Sequence, residues 1–219
     1  MRRYLEKEIM DFREIVAKRR AVNYFDPEKE VTEEELRRMV ELAARSPSSF
    51  NLQPWNLMVL RDMEAKKRLW RVAWDQFKIT QAPVVLIILA DREGWKQGHP
   101  TFEKDFRSLV DVGQLEEEQY DWFAQACQGL YGESREKEIV FSGKNTCFFA
   151  MSLMYAAVSL ALDCHPMDGF DHAGIRREFD LPDNLWCPLL LAVGHFDQSK
   201  KLRDPKWRKS FEEIVISFD

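Results

Sequence analysis

Residues able to do chemistry concentrate in four short stretches. "RRAVNYFD" (Arg19–Asp26) brings two guanidinium groups and an amide to the end of a helical pattern. "SPSSFNLQPW" (Ser46–Trp55) crowds hydroxyl and amide side chains into what would otherwise be a plain helix-to-strand connection. "HPMDGFD" (His165–Asp171) places a glycine in a turn-like run, and "PKWR" (Pro205–Arg208) adds cations near the C-terminus. Guanidinium and ammonium groups can grip an anion through charge-assisted hydrogen bonds. Hydroxyls and amides can meet the edge of a polar ligand, and glycine lets backbone approach closely. Each stretch also has a plain structural reading: helix-terminal cations that complement the dipole, a helix-ending loop, a β-turn and a solvated basic tail. The histidines (His99, His165, His172, His195) show no zinc spacing, and the cysteines (Cys127, Cys147, Cys164, Cys187) form no C-x-x-C pair, so no metal site is expected. No G-x-G-x-x-G is present to bind a dinucleotide.

Periodicity gives the elements that must position these stretches. A first helix is expected from about Leu5 to Arg19, with Ile9, Phe12, Ile15 and Val16 on one face. A second starts at Thr32, which makes a capping box with Glu35 ahead of the stripe Leu36, Met39, Val40 and Ala43. A strand over Asn56 to Leu60 follows the polar loop, and a charged helix from about Asp62 to Lys78 follows that strand. "APVVLIILAD" and "LWCPLLLAVGHF" are continuous apolar runs, the pattern of strands buried on both faces. A long apolar helix is expected over about 137–162, "CHPMDGFD" reads as a loop, a short helix covers about His172 to Phe179, and the terminal "EIVISF" is strand-like. Residues from about 92 to 136 form an excursion carrying Trp95, Phe102, Phe106, Tyr120, Trp122 and Phe123. It reads either as a substrate lid or as a surface helical subdomain with its own small core.

This order is helix-rich with three or four strands, and the 219 residues suit a single domain over 1–219. The long helix is apolar nearly all round and needs partners on every side, and the strand-like tail needs a sheet edge. Both needs point to a homodimer. A net charge of -5 argues against a nucleic acid or an anionic membrane as partner. The longest apolar run, Phe148 to Leu162, is 15 residues, short for a membrane span. The start "MRRYLEKEIMDF" lacks the apolar region of an export signal. The cysteines sit among apolar neighbours, as expected of buried free thiols in a reducing compartment. A cytoplasmic protein is the expectation.

Taken together and in order, the stretches resemble the nitroreductase family of flavoprotein oxidoreductases. The family's arginine-rich segment reads here as "RRAVNYFD", its A-P-S-[SG]-x-N-x-Q-P-W run as "SPSSFNLQPW", and its G-L-x-x-x-P-[MI]-x-G-F loop as "LALDCHPMDGFD". Its "VGH" strand end and basic tail read as "LLLAVGHFD" and "PKWR", and the resemblance covers about residues 12 to 210. It implies an α+β, three-layer α-β-α fold with a small mixed sheet, an intertwined homodimer, and one FMN per subunit at the interface. It also implies hydride exchange with NADH or NADPH and ping-pong reduction of a small-molecule oxidant such as a nitroaromatic or quinone. The site it implies comprises Arg19, Arg20, Ala21 and Asn23; Pro47, Ser48, Ser49, Phe50 and Asn51; Gln76 and Lys78; Pro166, Met167, Asp168 and Gly169; and Lys206 and Arg208. Arg19, Lys206 and Arg208 would take the phosphate. Ser48, Ser49 and Asn51 would reach the ribityl chain or ring edge, from either subunit. Gly169 would bring backbone to the flavin ring, with Pro166 and Met167 against its plane, while Gln53, Pro54 and Trp55 set the entry to the strand. No side chain is expected to act as acid, base or nucleophile, because the flavin carries the chemistry.

The chain departs from that pattern in three places. Ala21 stands where many relatives have Ser, and Asn23 where many have Lys or Arg, with Gln76 or Lys78 placed to compensate. Phe50 replaces a smaller residue and would narrow or stack over the pocket. Other readings of the same fold are a reductive dehalogenase resembling iodotyrosine deiodinase and the flavin-destroying enzyme of cobalamin synthesis. The dehalogenase relatives use a Glu-Tyr-Lys set in the lid, and "EEEQYDW" offers no clear Lys partner. A flavin-binding redox module without turnover is the alternative from a different class.

Overall fold

The segment "VVLIILAD" is apolar at all but its last position, and all of strand β2 (Val84–Asp91) is buried. A strand sealed on both faces must be central. In the computed structural model, which describes residues 10–217, β2 lies between β1 (Trp55–Leu60) and β4 (Leu185–Gly194), and β3 (Asp163–Met167) closes the order β1-β2-β4-β3. The four strands pair antiparallel. The sheet is therefore antiparallel where a mixed one was expected, and among the described residues the parallel pairing is an isolated bridge from Ala21 to Cys164 outside the strands.

Strand alternation divides the core into two layers. Val85, Ile87 and Leu89 face α3 (Met63–Val72), α4 (Phe77–Gln81) and α8 (His172–Glu178), where they meet Leu69, Ile79, Met167 and Ile175. Val84, Leu86 and Ile88 face α2 (Glu33–Ala43) and α7 (Arg135–Ser159), where they meet Met39, Phe149 and Leu153. Each fully buried Leu, Ile or Phe contributes roughly 1.5–3 kcal/mol, so the two layers dominate the stability. The result is the expected three-layer α-β-α arrangement. Thr32 and Glu35 form the expected capping box at the start of α2.

Several elements differ from the sequence reading. The charged helix breaks into α3 and α4, because Trp74 and Asp75 adopt left-handed backbone (φ 51° and 52°) between them. The stretch "DCHPM" is a strand, with Pro166 tolerated because β3 is at the sheet edge. The tail is not a strand among the described residues: Ser210 and Glu213 form a capping box that starts a short helix, α9 (Phe211–Ile214). The first described helix, α1, spans Phe12–Lys18 and buries nothing. Its expected start at Leu5, with Ile9, and Phe218 at the chain's end lie outside the described residues. The all-round burial expected of α7 is not met within one chain, where Val140 is 62% and Phe148 46% exposed. Cys127, Cys164 and Cys187 are buried as expected, but Cys147 is exposed.

The excursion contains α5 (Pro100–Asp111) and α6 (Tyr120–Tyr131). Trp95, Phe102, Phe106, Phe123 and Cys127 form a separate core there, completed by Leu52 and Phe141. Among the described residues no helix is long and apolar enough to cross a membrane, and no group of three or more His, Cys, Asp or Glu could hold a metal.

Candidate functional site

The chain after α1 runs along the outer edge of β3. The Val22 N–H donates to the Cys164 carbonyl (3.2 Å), and His165 Nδ1 lies 2.7 Å from the Val22 carbonyl oxygen. This pairing fixes Arg19 and Arg20, at the end of α1, beside the strand. Lys78 reaches the same region from α4. Burial lowers its pKa, and the nearby Arg203 guanidinium lowers it further. Arg20 donates to the Arg203 carbonyl (2.5 Å), which ties the tail to the end of α1. His165 is held down to about 4, first by burial and then by Lys78, with Lys206 adding to the effect and the Val22 bond opposing it. Cations from α1, α4 and the tail thus converge on β3. Among the described residues none of Arg19, Arg20, Lys78, Arg203, Lys206 and Arg208 has a carboxylate within ion-pair distance. Lys206 and Arg208 are exposed, and Arg208 donates to the Lys206 and Trp207 carbonyls. Ala21 adds no polar side chain here, and Asn23 is half-buried.

Beyond β3 the chain turns through Asp168, exposed, and Gly169. Gln76 Nε2 donates to the Gly169 carbonyl at 2.7 Å, and Lys78 Nζ donates to Gln76 Oε1 at 3.4 Å. A Cβ on Gly169 would fall 2.8 Å from Trp74 Cε3. A side chain at 169 would have to displace the exposed Trp74 indole that lies against it. Pro166 is half-buried, and Met167 is buried in the core layer that it shares with Ile79 and Ile175.

The loop 46–55 is built differently. Phe50, Asn51 and Gln53 hold left-handed backbone (φ 49°, 55° and 40°), an unusual density of strain for residues with side chains. Ser48 Oγ accepts from the Gln53 N–H, and Ser49 donates from its N–H to Asn145 Oδ1 (3.0 Å). Asn51 Nδ2 donates to Asp105 Oδ1 at 2.8 Å. Phe50 stands edge-on to Phe123 and Tyr131, and Pro47 is exposed. The polar groups of the loop hold it to α7 and α5 within the chain. No hydrogen bond or ion pair joins them to the cations at β3 among the described residues. Asp105 Oδ2 is buried without a partner, and burial raises its carboxyl pKa while the Asn51 bond opposes the rise. A cavity of about 540 Å³ opens beside it, lined by Asn51, Gln53, Trp55, Thr101, Lys104 and Asp105.

The sequence reading did not single out Asp105 and Asn145, which anchor the loop. A signal existed for both: Asp105 interrupts the stripe Phe102, Phe106, Leu109, and Asn145 interrupts Phe141, Phe149. Neighbouring His99 is structural, because Nδ1 accepts from the Thr101 N–H and Nε2 pairs with Asp91 at 3.0 Å.

The sequence profile described as "Nitroreductase family" matches residues 16–195. The chain belongs to the nitroreductase family. Within that family, it is 28% identical over 208 residues to the candidate NAD(P)H nitroreductase MhqN of Bacillus subtilis, covering 94% of this chain and 98% of the relative. It is 29% identical over 210 residues to a protein of Thermus thermophilus named NADH dehydrogenase, covering 95% and 96%. A crystal structure from Exiguobacterium sibiricum, solved in complex with FMN, superposes with a TM-score of 0.80 at 25% identity over 94% of this chain and 96% of that one.

Proposed function

We propose that this nitroreductase-family protein is an FMN-dependent oxidoreductase that takes hydride from NADH or NADPH and reduces a flat small-molecule oxidant, a nitroaromatic or quinone, in a ping-pong cycle. The observation that carries the reading is the convergence of cations without carboxylate partners at β3. Such a cluster is self-repelling unless a counter-anion neutralises it, and a phosphate monoester is the natural fit for guanidinium forks. The FMN bound by one relative, and the nicotinamide nucleotides in the names of others, support the same reading. When bound, FMN would supply the hydride chemistry.

The chain's own residues bind and orient. Arg19, Arg20, Lys78, Lys206 and Arg208 hold the phosphate. Gln76 fixes the Gly169 peptide so that backbone, not side chain, faces the ring. The strained loop presents Ser48, Ser49, Phe50 and Asn51 as a rigid rim to the partner's cofactor, and the excursion packed on Phe50 serves as a lid. The homodimer is supported by apolar surface left uncovered on α1, α7 and the tail: Phe12, Val16, Val140, Phe148 and Phe211. Light scattering should show a dimer, and a stable folded 25.9 kDa monomer would remove the shared site.

An anaerobic titration tests the activity. The FMN-loaded protein should bleach with NADH or NADPH and recolour with a quinone or nitro compound. A protein that binds FMN but stays inert to both nucleotides would be a flavin-binding module, and one that binds no FMN would refute the cofactor assignment.

A further inference from the structure

His165 sits in β3 with its ring held in one orientation. Its Nδ1 is 2.7 Å from the Val22 carbonyl oxygen, which can only accept, so Nδ1 carries the proton of the neutral ring. Nε2 therefore presents a lone pair, and it has no hydrogen-bond partner among the described residues. The charged groups acting on the ring from other elements are both cations, Lys78 on α4 and Lys206 in the tail. Arg203 stands beside Lys78, and Arg19 acts on the adjacent Cys164. The nearby acid on β3, Asp163, is engaged by the Phe196 N–H at 2.8 Å.

We infer that His165 is a proton-linked member of the phosphate-binding set, neutral while the cations stand alone and protonated at Nε2 when a phosphate monoester settles among them. The inference rests on the FMN reading and adds to it a residue and a pH dependence. In the free chain burial and the ammonium of Lys78 keep the ring neutral. A bound dianion reverses the local field and favours the imidazolium, whose Nδ1–H still donates to Val22. The step forms one N–H bond, with the proton drawn from solvent. The new N–H then donates to a phosphate oxygen on the edge where Ala21 brings no hydroxyl. Binding that takes up a proton strengthens as pH falls between the bound and free values of the ring. The phosphate's own protonation, at about pH 6, works against it.

The test is calorimetry of FMN binding to flavin-free protein at about pH 6.5, near the unperturbed histidine value, in buffers of differing ionisation enthalpy. Wild type should take up on the order of half a proton more than His165→Asn, which keeps a donor for Val22 but has no Nε2. Riboflavin, without a phosphate, should show no difference between the two. Equal proton counts with FMN would overturn the inference and leave the cofactor reading standing. No FMN binding by wild type would overturn both. Should His165→Asn fail to fold, the NMR titration of the His165 Hε1 in wild type decides. Its midpoint should rise from about 4 to near 6.5 with FMN, and an unmoved midpoint would overturn the inference.

Discussion

The loop 46–55 and the cation cluster at β3 are both dense in polar side chains, yet they use them in opposite ways. Ser48, Ser49 and Asn51 are each satisfied inside the chain, by the Gln53 N–H, Asn145 and Asp105. Their bonds hold a backbone in which three residues with side chains adopt left-handed φ, at a cost of about 1–3 kcal/mol each. Arg20 and Lys78 donate only to neutral groups, the Arg203 carbonyl and Gln76, and among the described residues none of Arg19, Arg20, Lys78 and Lys206 has a carboxylate within ion-pair distance. Polar density alone does not mark a ligand site. Satisfied polar groups on strained backbone build a rigid scaffold, whereas like charges gathered without counter-charges store repulsion that a ligand relieves.

Four substitutions break or sharpen that contrast. Gly169→Val, beside the cations, should have the largest effect, because its side chain meets Trp74 and Gln76 and disrupts the backbone that faces the ligand. Flavin binding should fall by more than about 100-fold while circular dichroism stays unchanged; full retention of bound flavin would take the 165–171 turn out of the site. Arg208→Ala should weaken FMN by about 10- to 100-fold and leave riboflavin nearly unaffected, since one charge-assisted bond is lost. Equal losses for both flavins would mean that Arg208 acts through the fold. Asn51→Ala leaves Asp105 without its donor and should destabilise the chain by about 1–3 kcal/mol in denaturant titration; no change would mean that the loop is not anchored by α5.

The smallest effect is expected of Asp105→Asn, and it depends on pH. Burial raises the folded carboxyl above its unfolded value of about 3.9. Between the two values the folded chain binds more protons than the unfolded one, so this group's contribution to stability falls as pH rises through that window. An asparagine keeps an acceptor for Asn51 and cannot ionise. The variant should therefore be at least as stable as wild type at neutral pH and lose its relative advantage in acid. A stability gap that does not vary with pH would show that Asp105 is not the titrating group.

The sheet core was legible because β2 and β4 are apolar runs that only a central strand explains, and α2 because its capping box and stripe agree. The cation cluster was legible through residue type. What stayed hidden obeys no local rule. Trp74 and Asp75 break a periodic helix without glycine or proline. β3 is short and contains Pro166, and its pairing with Ala21 depends on distant chain. The tail's alternation suits a strand, but within the single chain the capping of Ser210 by Glu213 wins locally. Arg203 and His165 join the cations only through tertiary contact.

The contact between Val22 and His165 joins residues 143 positions apart, and the cations of the tail come later still in the chain. Contacts so distant in sequence return nothing until the entropy of closing the intervening loop has been overcome, so they form late. Helices α2 and α3 and the β1–β2 hairpin can assemble from nearby segments well before that. The anion site is therefore among the last features to exist during folding. The central β2–β4 pairing, from Val84 to Val193, spans a comparable separation, so the core is sealed at a similarly late stage. On the function proposed above, flavin loading would follow the fold as a check on its completion and would not guide it.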